Sequence, residues 1–460
     1  MEQANQEDER YLPILRSNPR ILRAAAGADI PSGDPVALVS TQVLGPALGG
    51  FTQWLLSEAI EEGKKRLYFL ARDGYFLYRA ARIFCTRFQL PLECRYLCCS
   101  RYSLRLPLFH LNTGDALAYV CRGGIGVTPK KILRRAGLTD DEQAAVLEAL
   151  ALPWSPNAVI PHLKLPEIQE QLAACSLFLD AMNRHSRQAA PGMEGYLRQE
   201  GLLEENIPDG IVDSGWTGSI QKALMEALHT MGRTRKLDGY YFGLYELPAG
   251  VNRRDYHAYY FEPEGQLRQK IFFNNCLFEA LFTAPHGMTL FYQQTEGRSI
   301  PRFGGISPKR IAFIRQTGGY LLDYTRRLAE QAMESGDWRG DPAEDRAAIY
   351  RLLRRFMSHP SRPEAEIFGK LSFSDDVLEG EERPIAARLT EEELTANHPL
   401  HKLPVMAGIR PGTIKESAWY EGSAVLAGRH IRRHLRQYTL YQYLRHSRKM
   451  RRWRRERQES

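Results

Sequence analysis

The chain has 460 residues, of which 43% are hydrophobic and 25% are charged, a composition typical of a globular protein and unlike a disordered chain or coiled coil. Its net charge of +8 is concentrated at one end, because residues 429–460 hold 12 of the 62 basic and 2 of the 54 acidic residues. The rest of the chain, with 50 basic against 52 acidic residues, is almost neutral. The basic character therefore concerns the partner of the tail and not a functional site elsewhere.

The seven cysteines contain no CxxC pair, and no cysteine and histidine have zinc-binding spacing. Their odd number, with no recognisable signal peptide, favours a reducing cytoplasm. The uncharged stretch from Val36 to Ser57 contains glycines, a proline and several polar residues. We interpret it as a loop or short strand followed by an amphipathic helix from about Phe51 to Glu62, and not as a membrane span.

In chain order, residues 1–35 are polar and predict a loosely ordered lead-in. A strand at Leu67–Ala71, a helix from about Gly74 to Phe88 and a second strand at Arg95–Cys99 follow the first helix. Parallel strands joined by a helix are the simplest arrangement for this β-α-β pattern.

Residues 110–205 are predicted to be mainly helical, with one helix starting at Thr128-Pro129, and we interpret them as an insertion. Strand patterns resume in "DGIVDSGW" and "LDGYYFGLYEL". The predicted fold is α/β: a Rossmann-like, mainly parallel sheet core in residues 36–300, then a mainly helical part in 301–428 and a basic amphipathic tail in 429–460.

The stretch "GIVDSGWTGSIQKAL" combines a strand that ends in Asp213 with small residues that open a helix. Glycines allow backbone amides to approach an anion, and the start of a helix favours negative charge. The pattern therefore indicates a phosphate-binding loop, although tight packing alone also produces it. The residues assigned to this loop are Ser214, Gly215, Trp216, Thr217, Gly218 and Ser219.

Two other predicted strands end in polar residues, namely Arg72-Asp73 and Ser100-Arg101. Ligands of open α/β sheets bind beyond the carboxyl ends of the strands. Together with Asp213, these residues would suit a phosphorylated sugar. The alternative is that Arg72 and Asp73 only cap the following helix.

Glu279 lies in the apolar helix of "FEALFTAPHG", where a carboxylate requires a partner. It either pairs with an arginine in the core or lines the site. His286, which precedes a glycine, is expected to lie in a surface turn.

Four motifs, "FLARDGYFL", "SRYSLRLP", "VDSGWTGSIQKAL" and "FEALFTAPHG", occur in this order over residues 40–300 and resemble the glycan phosphoribosyltransferase domain of bacterial ribofuranosyltransferases. Residues 358–376 resemble a later segment of that family. The resemblance implies transfer of 5-phosphoribosyl from 5-phosphoribosyl 1-diphosphate to a hydroxyl of a growing surface glycan, such as an O-antigen or capsule, with release of diphosphate.

Many members of that family carry an amino-terminal phosphatase domain, which begins with a DxDxT-type strand end. The first 60 residues here contain no such motif, so the resemblance implies that a separate phosphatase removes the 5-phosphate. It also implies a lipid-linked glycan acceptor at the cytoplasmic face of the plasma membrane.

The resemblance to classical phosphoribosyltransferases suggests that Thr217, Gly218 and Ser219 hold the 5-phosphate and that Asp213 meets the ribose hydroxyls. Arg72 and Arg101 are assigned to the diphosphate. Asp73 is assigned as the base for the acceptor hydroxyl, with Glu279 as its substitute. Mg²⁺ is expected because the donor carries a diphosphate, but its ligands stay open, since only one acid precedes the loop.

Residues 429–460 are predicted to form an amphipathic helix. Its apolar face would comprise Ile431, Leu435, Tyr438, Tyr441 and Leu444. Such a helix is suited to lie on an anionic bilayer, so we expect a peripheral membrane protein. We also expect that deletion of the tail leaves turnover of a short soluble acceptor largely intact. A solvated tail and a nucleic-acid patch are the alternatives.

The functions that compete with phosphoribosyl transfer are a nucleotide-sugar or other phosphosugar transferase and a non-catalytic membrane- or nucleic-acid-binding protein.

Overall fold

The computed structural model describes residues 9–28, 30–123, 126–373, 383–407, 409–412 and 414–459, and for 455–459 it describes the backbone alone. The strands are β1 (Arg66–Leu70), β2 (Glu93–Leu97), β3 (Asp209–Trp216), β4 (Asp238–Leu244), β5 (Tyr256–Phe261), β6 (Thr289–Thr295), β7 (Arg298–Phe303), β8 (Ser372–Phe373) and β9 (Arg383–Pro384). The helices up to β3 are α1 (Leu12–Leu15), α2 (Pro19–Ala26), α3 (Pro35–Val39), α4 (Gly45–Glu61), α5 (Gly74–Phe88), α6 (Arg101–Arg105), α7 (Thr113–Val120), α8 (Pro129–Arg135), α9 (Asp140–Leu150), α10 (Leu165–Ala174) and α11 (Ser176–Gln199). Those after β3 are α12 (Ser219–Thr230), α13 (Leu267–Ile271), α14 (Asn275–Leu281), α15 (Pro308–Ser335), α16 (Pro342–Met357), α17 (Arg362–Phe368), α18 (Glu391–Ala396), α19 (Pro399–Met406), α20 (Tyr420–Ala427) and α21 (Ile431–Glu459).

A parallel sheet with the strand order β2-β1-β3-β4-β5 forms the centre of the molecule. The predicted α/β class with a helical carboxyl-terminal part is confirmed. β1 and β2 begin one and two residues before their predicted starts. The chain goes from β1 outward to β2 and then returns to the other side of β1 as β3, so the switch in direction lies between β1 and β3. In such sheets this is the place where ligands bind.

Helices cover both faces of the sheet, which explains why its strands are apolar without alternation. In β1, Leu67 and Phe69 pack with α4, α5, α15 and α16 on one face. Tyr68 and Leu70 pack with α6, α11 and α12 on the other. Every residue of β1 is buried, so a polar side chain can reach water only after the strand ends.

The prediction of a loosely ordered lead-in is wrong for residues 9–28, and residues 1–8 lie outside the described part of the chain. α1 and α2 pack into the main core, where Tyr11 and Leu15 are fully buried. The Tyr11 hydroxyl donates a hydrogen bond to the carboxylate of Glu364. Local polarity misled the prediction because these helices are short and bury only a few apolar side chains.

The prediction of a loop or strand before residue 51 is also wrong. α3, a π-helical turn at Ser40–Leu44 and α4 follow one another without a break. Almost all residues of this stretch are buried, so it is a core helix with no polar face to produce amphipathic periodicity. Within the part of the chain that the structure describes, no helix is long and apolar enough to cross a membrane.

The helical character predicted for residues 110–205 is confirmed by α7 to α11. α8 starts at Pro129, and the Thr128 hydroxyl accepts from the backbone amide of Lys131, as a helix cap should. The segment packs around its own apolar cluster, which contains Val120, Ile132 and Phe178. It reaches the carboxyl edge of the sheet at the end of α7.

Candidate functional site

A cavity of about 350 Å³ opens at the carboxyl edge of the sheet, beside the switch point between β1 and β3. Every residue assigned to the site from sequence lines this cavity, except Gly218. The lining includes Arg72, Asp73, Ser100, Arg101, Arg122, Asp213, Ser214, Gly215, Trp216, Thr217, Ser219, Asn275, Cys276 and Glu279. The structure thus brings together residues from three strand ends, from α14 and from the helical segment after β2.

Asp73 lies in the tight connection between β1 and α5, next to a cis peptide bond between Ala71 and Arg72. α5 can start so close to the strand because residue 74 is glycine: a Cβ there would lie 3.0 Å from the backbone carbon of Phe69. Asp73 occupies the cap position of α5, but its side chain makes no cap hydrogen bond. Its Oδ2 instead accepts from the hydroxyl of Ser214. The capping alternative therefore does not apply to Asp73.

The stretch "GIVDSGWTGSIQKAL" folds differently from its prediction. β3 continues beyond Asp213 to Trp216, so the connection to α12 comprises only Thr217 and Gly218. Trp216 has a φ of +73°, and its indole Nε1 donates to Oε1 of Glu279. Glu279 thus lines the site and pairs with an indole, and no arginine of the described residues forms a salt bridge with it.

The start of α12 is open to the cavity through Ser219 and Ile220. Gly218 is the residue before the helix; it has a φ of +60° and provides no side-chain cap. The Thr217 hydroxyl donates to Ser219 Oγ at 3.2 Å. Uncapped amides of a first helical turn are suitable donors for an anion. Gly218 contributes by shaping the turn rather than by lining the cavity.

Three carboxyl groups share this site and perturb one another. Burial raises the pKa of Asp213 to about 8, and the nearby charge of Asp73 adds to the increase. Burial and the charge of Asp73 also raise the pKa of Glu279 to about 8, against the lowering effect of the Trp216 hydrogen bond. The pKa of Asp73 is raised by burial and lowered by Ser214, Arg72 and Arg101. Such coupled groups favour partial protonation of the trio near neutral pH.

Arg72, Arg101 and Arg122 line the same cavity as these carboxyl groups. Among the described residues, neither Arg101 nor Arg122 makes a side-chain hydrogen bond or salt bridge, and both are exposed. Burial lowers the pKa of Arg122, and the adjacent charges of Arg101 and Arg105 lower it further. Arginines without protein partners in one cavity are a suitable binding site for a polyanion.

Arg122 was not found from the sequence. It follows α7, in the segment interpreted as a helical insertion, and its neighbours along the chain carry no motif. Its contact with the site depends on how the helical segment folds back over the sheet edge. The only local signal is an arginine immediately before two glycines at the end of a helix, which is weak.

Two further residues have structural partners. The Ser100 hydroxyl accepts from the amide of Ser103 at 3.0 Å, which caps α6, and donates to the carbonyl of Thr289 at 2.7 Å. Ser100 therefore positions Arg101, the first residue of α6. His286 is half-buried and not in a surface turn: Nδ1 bonds the Gly287 carbonyl and Nε2 bonds the Tyr96 hydroxyl, both at 2.8 Å.

The donor set of the cavity is compatible with Mg²⁺. This ion is usually held by one or two carboxylates together with substrate phosphates and water. Asp73 and Asp213 would be its protein ligands here. Glu58, Glu62 and His257 form a separate group of possible ligands, at the opposite, amino-terminal edge of the sheet. That group has no connection with the cavity.

A scan against protein-family models finds no match to this chain, and a search of curated proteins finds no match either.

Proposed function

We propose that the chain is a glycosyltransferase that moves 5-phosphoribosyl from 5-phosphoribosyl 1-diphosphate to a hydroxyl of a bacterial surface-glycan acceptor, with release of diphosphate. One observation carries the proposal. One cavity at the switch point is lined by Arg72, Arg101 and Arg122, by three carboxyl groups and by the uncapped first turn of α12. A phosphorylated sugar diphosphate carries anionic groups at both ends and hydroxyl groups between them, and this set of side chains provides partners for both kinds of group.

The arginines receive the leaving group in this proposal. Loss of diphosphate from the anomeric carbon moves negative charge onto the diphosphate and leaves positive charge on the ribose ring. Arg101 and Arg122, assisted by Arg72, stabilise the first charge, and the carboxylates stabilise the second. Because the side chains of Arg101 and Arg122 have no hydrogen-bond or ion-pair partner among the described residues, they bind the anion without breaking such a pair.

The turn at Thr217–Ser219 receives the 5-phosphate, with the first amides of α12 and two hydroxyl groups as donors. Asp213, which lies in β3 before this turn, faces the ribose hydroxyl groups. Bound Mg²⁺ would neutralise diphosphate oxygens and would rest on Asp213 and, where Glu279 acts as the base, on Asp73 as well.

Asp73 or Glu279 takes the proton of the acceptor hydroxyl. Ser214 donates a hydrogen bond to Asp73 Oδ2, and Trp216 donates one to Glu279 Oε1. The second oxygen of each carboxylate therefore remains for the acceptor hydroxyl. A carboxylate with a raised pKa is a stronger base, and one positioned base contributes about 10²–10⁴-fold. The product keeps its 5-phosphate, so the proposal includes a later phosphatase step.

The test is a donor comparison with the full chain. We expect diphosphate release from 5-phosphoribosyl 1-diphosphate with Mg²⁺ and lipid-linked glycan, and no turnover of UDP-glucose. Mass spectrometry should show an acceptor that has gained one phosphoribosyl group. Turnover of UDP-glucose alone would favour a nucleotide-sugar transferase, and consumption of neither donor would contradict catalysis.

Binding of the donor provides the matched control. Arg101→Gln and Arg122→Gln should each weaken binding of 5-phosphoribosyl 1-diphosphate by about tenfold or more in calorimetry, because each removes a charge-assisted contact. Arg198→Gln changes an exposed arginine of α11 that has no described partner and should leave binding unchanged. Equal affinity in all three variants would overturn the assignment of the cavity.

A further inference from the structure

The face of α21 that the sequence assigns to a membrane is largely occupied by the protein. His434 is fully buried and Tyr441 is 5% exposed. Tyr438 stacks on Tyr420 with ring centroids 4.3 Å apart. Farther along the helix, the His446 ring stacks on Tyr245. This face cannot enter a bilayer while α21 stays packed.

The side of α21 that points away from the protein has a different pattern, and it includes Leu444, the one member of the predicted apolar face that is exposed. Three neighbouring apolar side chains, Leu440, Tyr443 and Leu444, are 47%, 48% and 41% exposed. Exposed arginines precede this patch at Arg433 and Arg436 and follow it at 448 and 451. Among the described residues, the side chains of these four arginines make no hydrogen bond or salt bridge. The outward face of α21 is thus an apolar patch with uncompensated cations at both ends.

Two neighbouring features extend this surface. A shallow groove at the amino-terminal end of α21 is lined by Arg432, Arg433 and Arg436. α19 packs against α21, where the Tyr441 hydroxyl contacts the Met406 sulfur at 3.6 Å. Met406 itself is 64% exposed, and Leu400 on the same helix is 82% exposed. Exposed apolar side chains and exposed arginines therefore occur on α21 and on the elements next to it.

We propose that this outward face of α21 docks on an anionic lipid bilayer. Arginines next to the lipid headgroups gain electrostatic energy, and Leu440, Tyr443 and Leu444 gain by leaving water. A nucleic acid would satisfy the arginines but would leave these apolar side chains exposed, so charge and apolarity together favour the bilayer. The proposal is independent of the reaction proposed above.

The packing of α21 also connects the proposed membrane-binding face to the cavity. Tyr245 contacts both His446 of α21 and Trp216 of the cavity. Lys449 of α21 also pairs with Glu246 at 3.0 Å. A bilayer that holds α21 therefore holds the cavity at a defined position near the membrane surface, which would suit a substrate that is anchored in lipid.

The test is cosedimentation of the full chain with phosphatidylcholine vesicles that contain about 30% phosphatidylserine, at about 0.15 M salt. Pure phosphatidylcholine vesicles are the comparison. The cation variant Arg433→Gln/Arg436→Gln/Arg448→Gln should lower the partition coefficient about tenfold or more. The apolar variant Leu440→Ser/Tyr443→Ser/Leu444→Ser should lower it to a similar extent.

The control variant Arg298→Gln/Lys309→Gln/Arg315→Gln removes the same charge from exposed positions outside α21. It should change the partition coefficient less than about twofold, since these charges lie outside the docking face. Thermal melting checks that all three variants fold. Loss of binding in the control equal to that in the cation variant would overturn the proposal. Binding to duplex DNA or RNA with no binding to vesicles would overturn it in favour of a nucleic-acid partner.

Discussion

The Ser214 hydroxyl donates a hydrogen bond to Asp73 Oδ2 and so joins the end of β3 to the connection that follows β1. Ser214 is 2% exposed, which keeps this bond largely out of competition with water. The bond spans the switch point of the sheet, where the two halves of the cavity meet. It fixes the orientation of Asp73 and leaves the other carboxylate oxygen for a ligand.

Asp213→Asn should lower transferase activity at least about 100-fold, because it removes a carboxylate from the developing positive charge. Stability should not fall. The pKa of Asp213 is about 8 in the folded chain and about 3.9 when unfolded, so its ionisation lowers the free energy of unfolding as pH rises from about 4 to 8. Asparagine does not ionise, so the melting temperature of Asp213→Asn above pH 7 should equal or exceed that of the wild type. A lower melting temperature with preserved activity would assign Asp213 a structural role.

Arg101→Gln should move the ascending limb of the pH profile of kcat/KM to higher pH. The Arg101 charge lowers the pKa of Asp73, Asp213 and Glu279, so its loss favours their protonated forms. Arg105→Gln removes a cation from the same helix, but Arg105 already lies 3.8 Å from Glu226. This variant should therefore shift the ascending limb less than Arg101→Gln. Diphosphate release between pH 6 and about 9 measures both profiles. Identical limbs in the wild type and Arg101→Gln would show that the carboxyl trio does not control the rate.

Gly218→Ala should destabilise the fold and not only weaken donor binding. The added Cβ would lie 2.6 Å from the Tyr256 ring, and φ is +60°. We expect a loss of about 2–4 kcal/mol in free energy of unfolding, from backbone strain and overpacking together. Gly250→Ala, at φ +75° with nothing within 4 Å of the new Cβ, isolates the strain and should cost about 1 kcal/mol. Equal losses in denaturant titrations would exclude the contact with Tyr256.

Deletion of residues 429–460 should lower both the melting temperature and turnover of a soluble acceptor, contrary to the expectation for a separable tail. The deletion uncovers Tyr245, which stacks on His446 and packs on Trp216. A shorter deletion of residues 451–460 keeps His446 and Lys449 and should retain most of the stability and turnover. Thermal melting and diphosphate release measure the two effects. Wild-type turnover in the longer deletion would show that Trp216 does not need this support.

Local sequence patterns were sufficient to predict the elements whose environment in the fold agrees with the pattern. The helix Gly74–Phe88 was predicted with its observed bounds, and the α8 start at Pro129 follows from its Thr128 cap. A buried parallel strand needs apolar side chains, so polar residues at its carboxyl end indicate a ligand site. This is why Arg72, Asp73 and Asp213 could be identified from the sequence.

Which of these residues meet depends on contacts between parts of the chain that are far apart in sequence. The strand order places β3 beside β1, which brings Ser214 to Asp73, and the fold of the helical segment brings Arg122 to Arg101. The same holds for α21, whose helical period was readable but whose inward face depends on packing against Tyr245 and Tyr420. A periodic pattern shows that a helix has an apolar face, whereas the surface that covers this face depends on contacts between residues far apart in the chain.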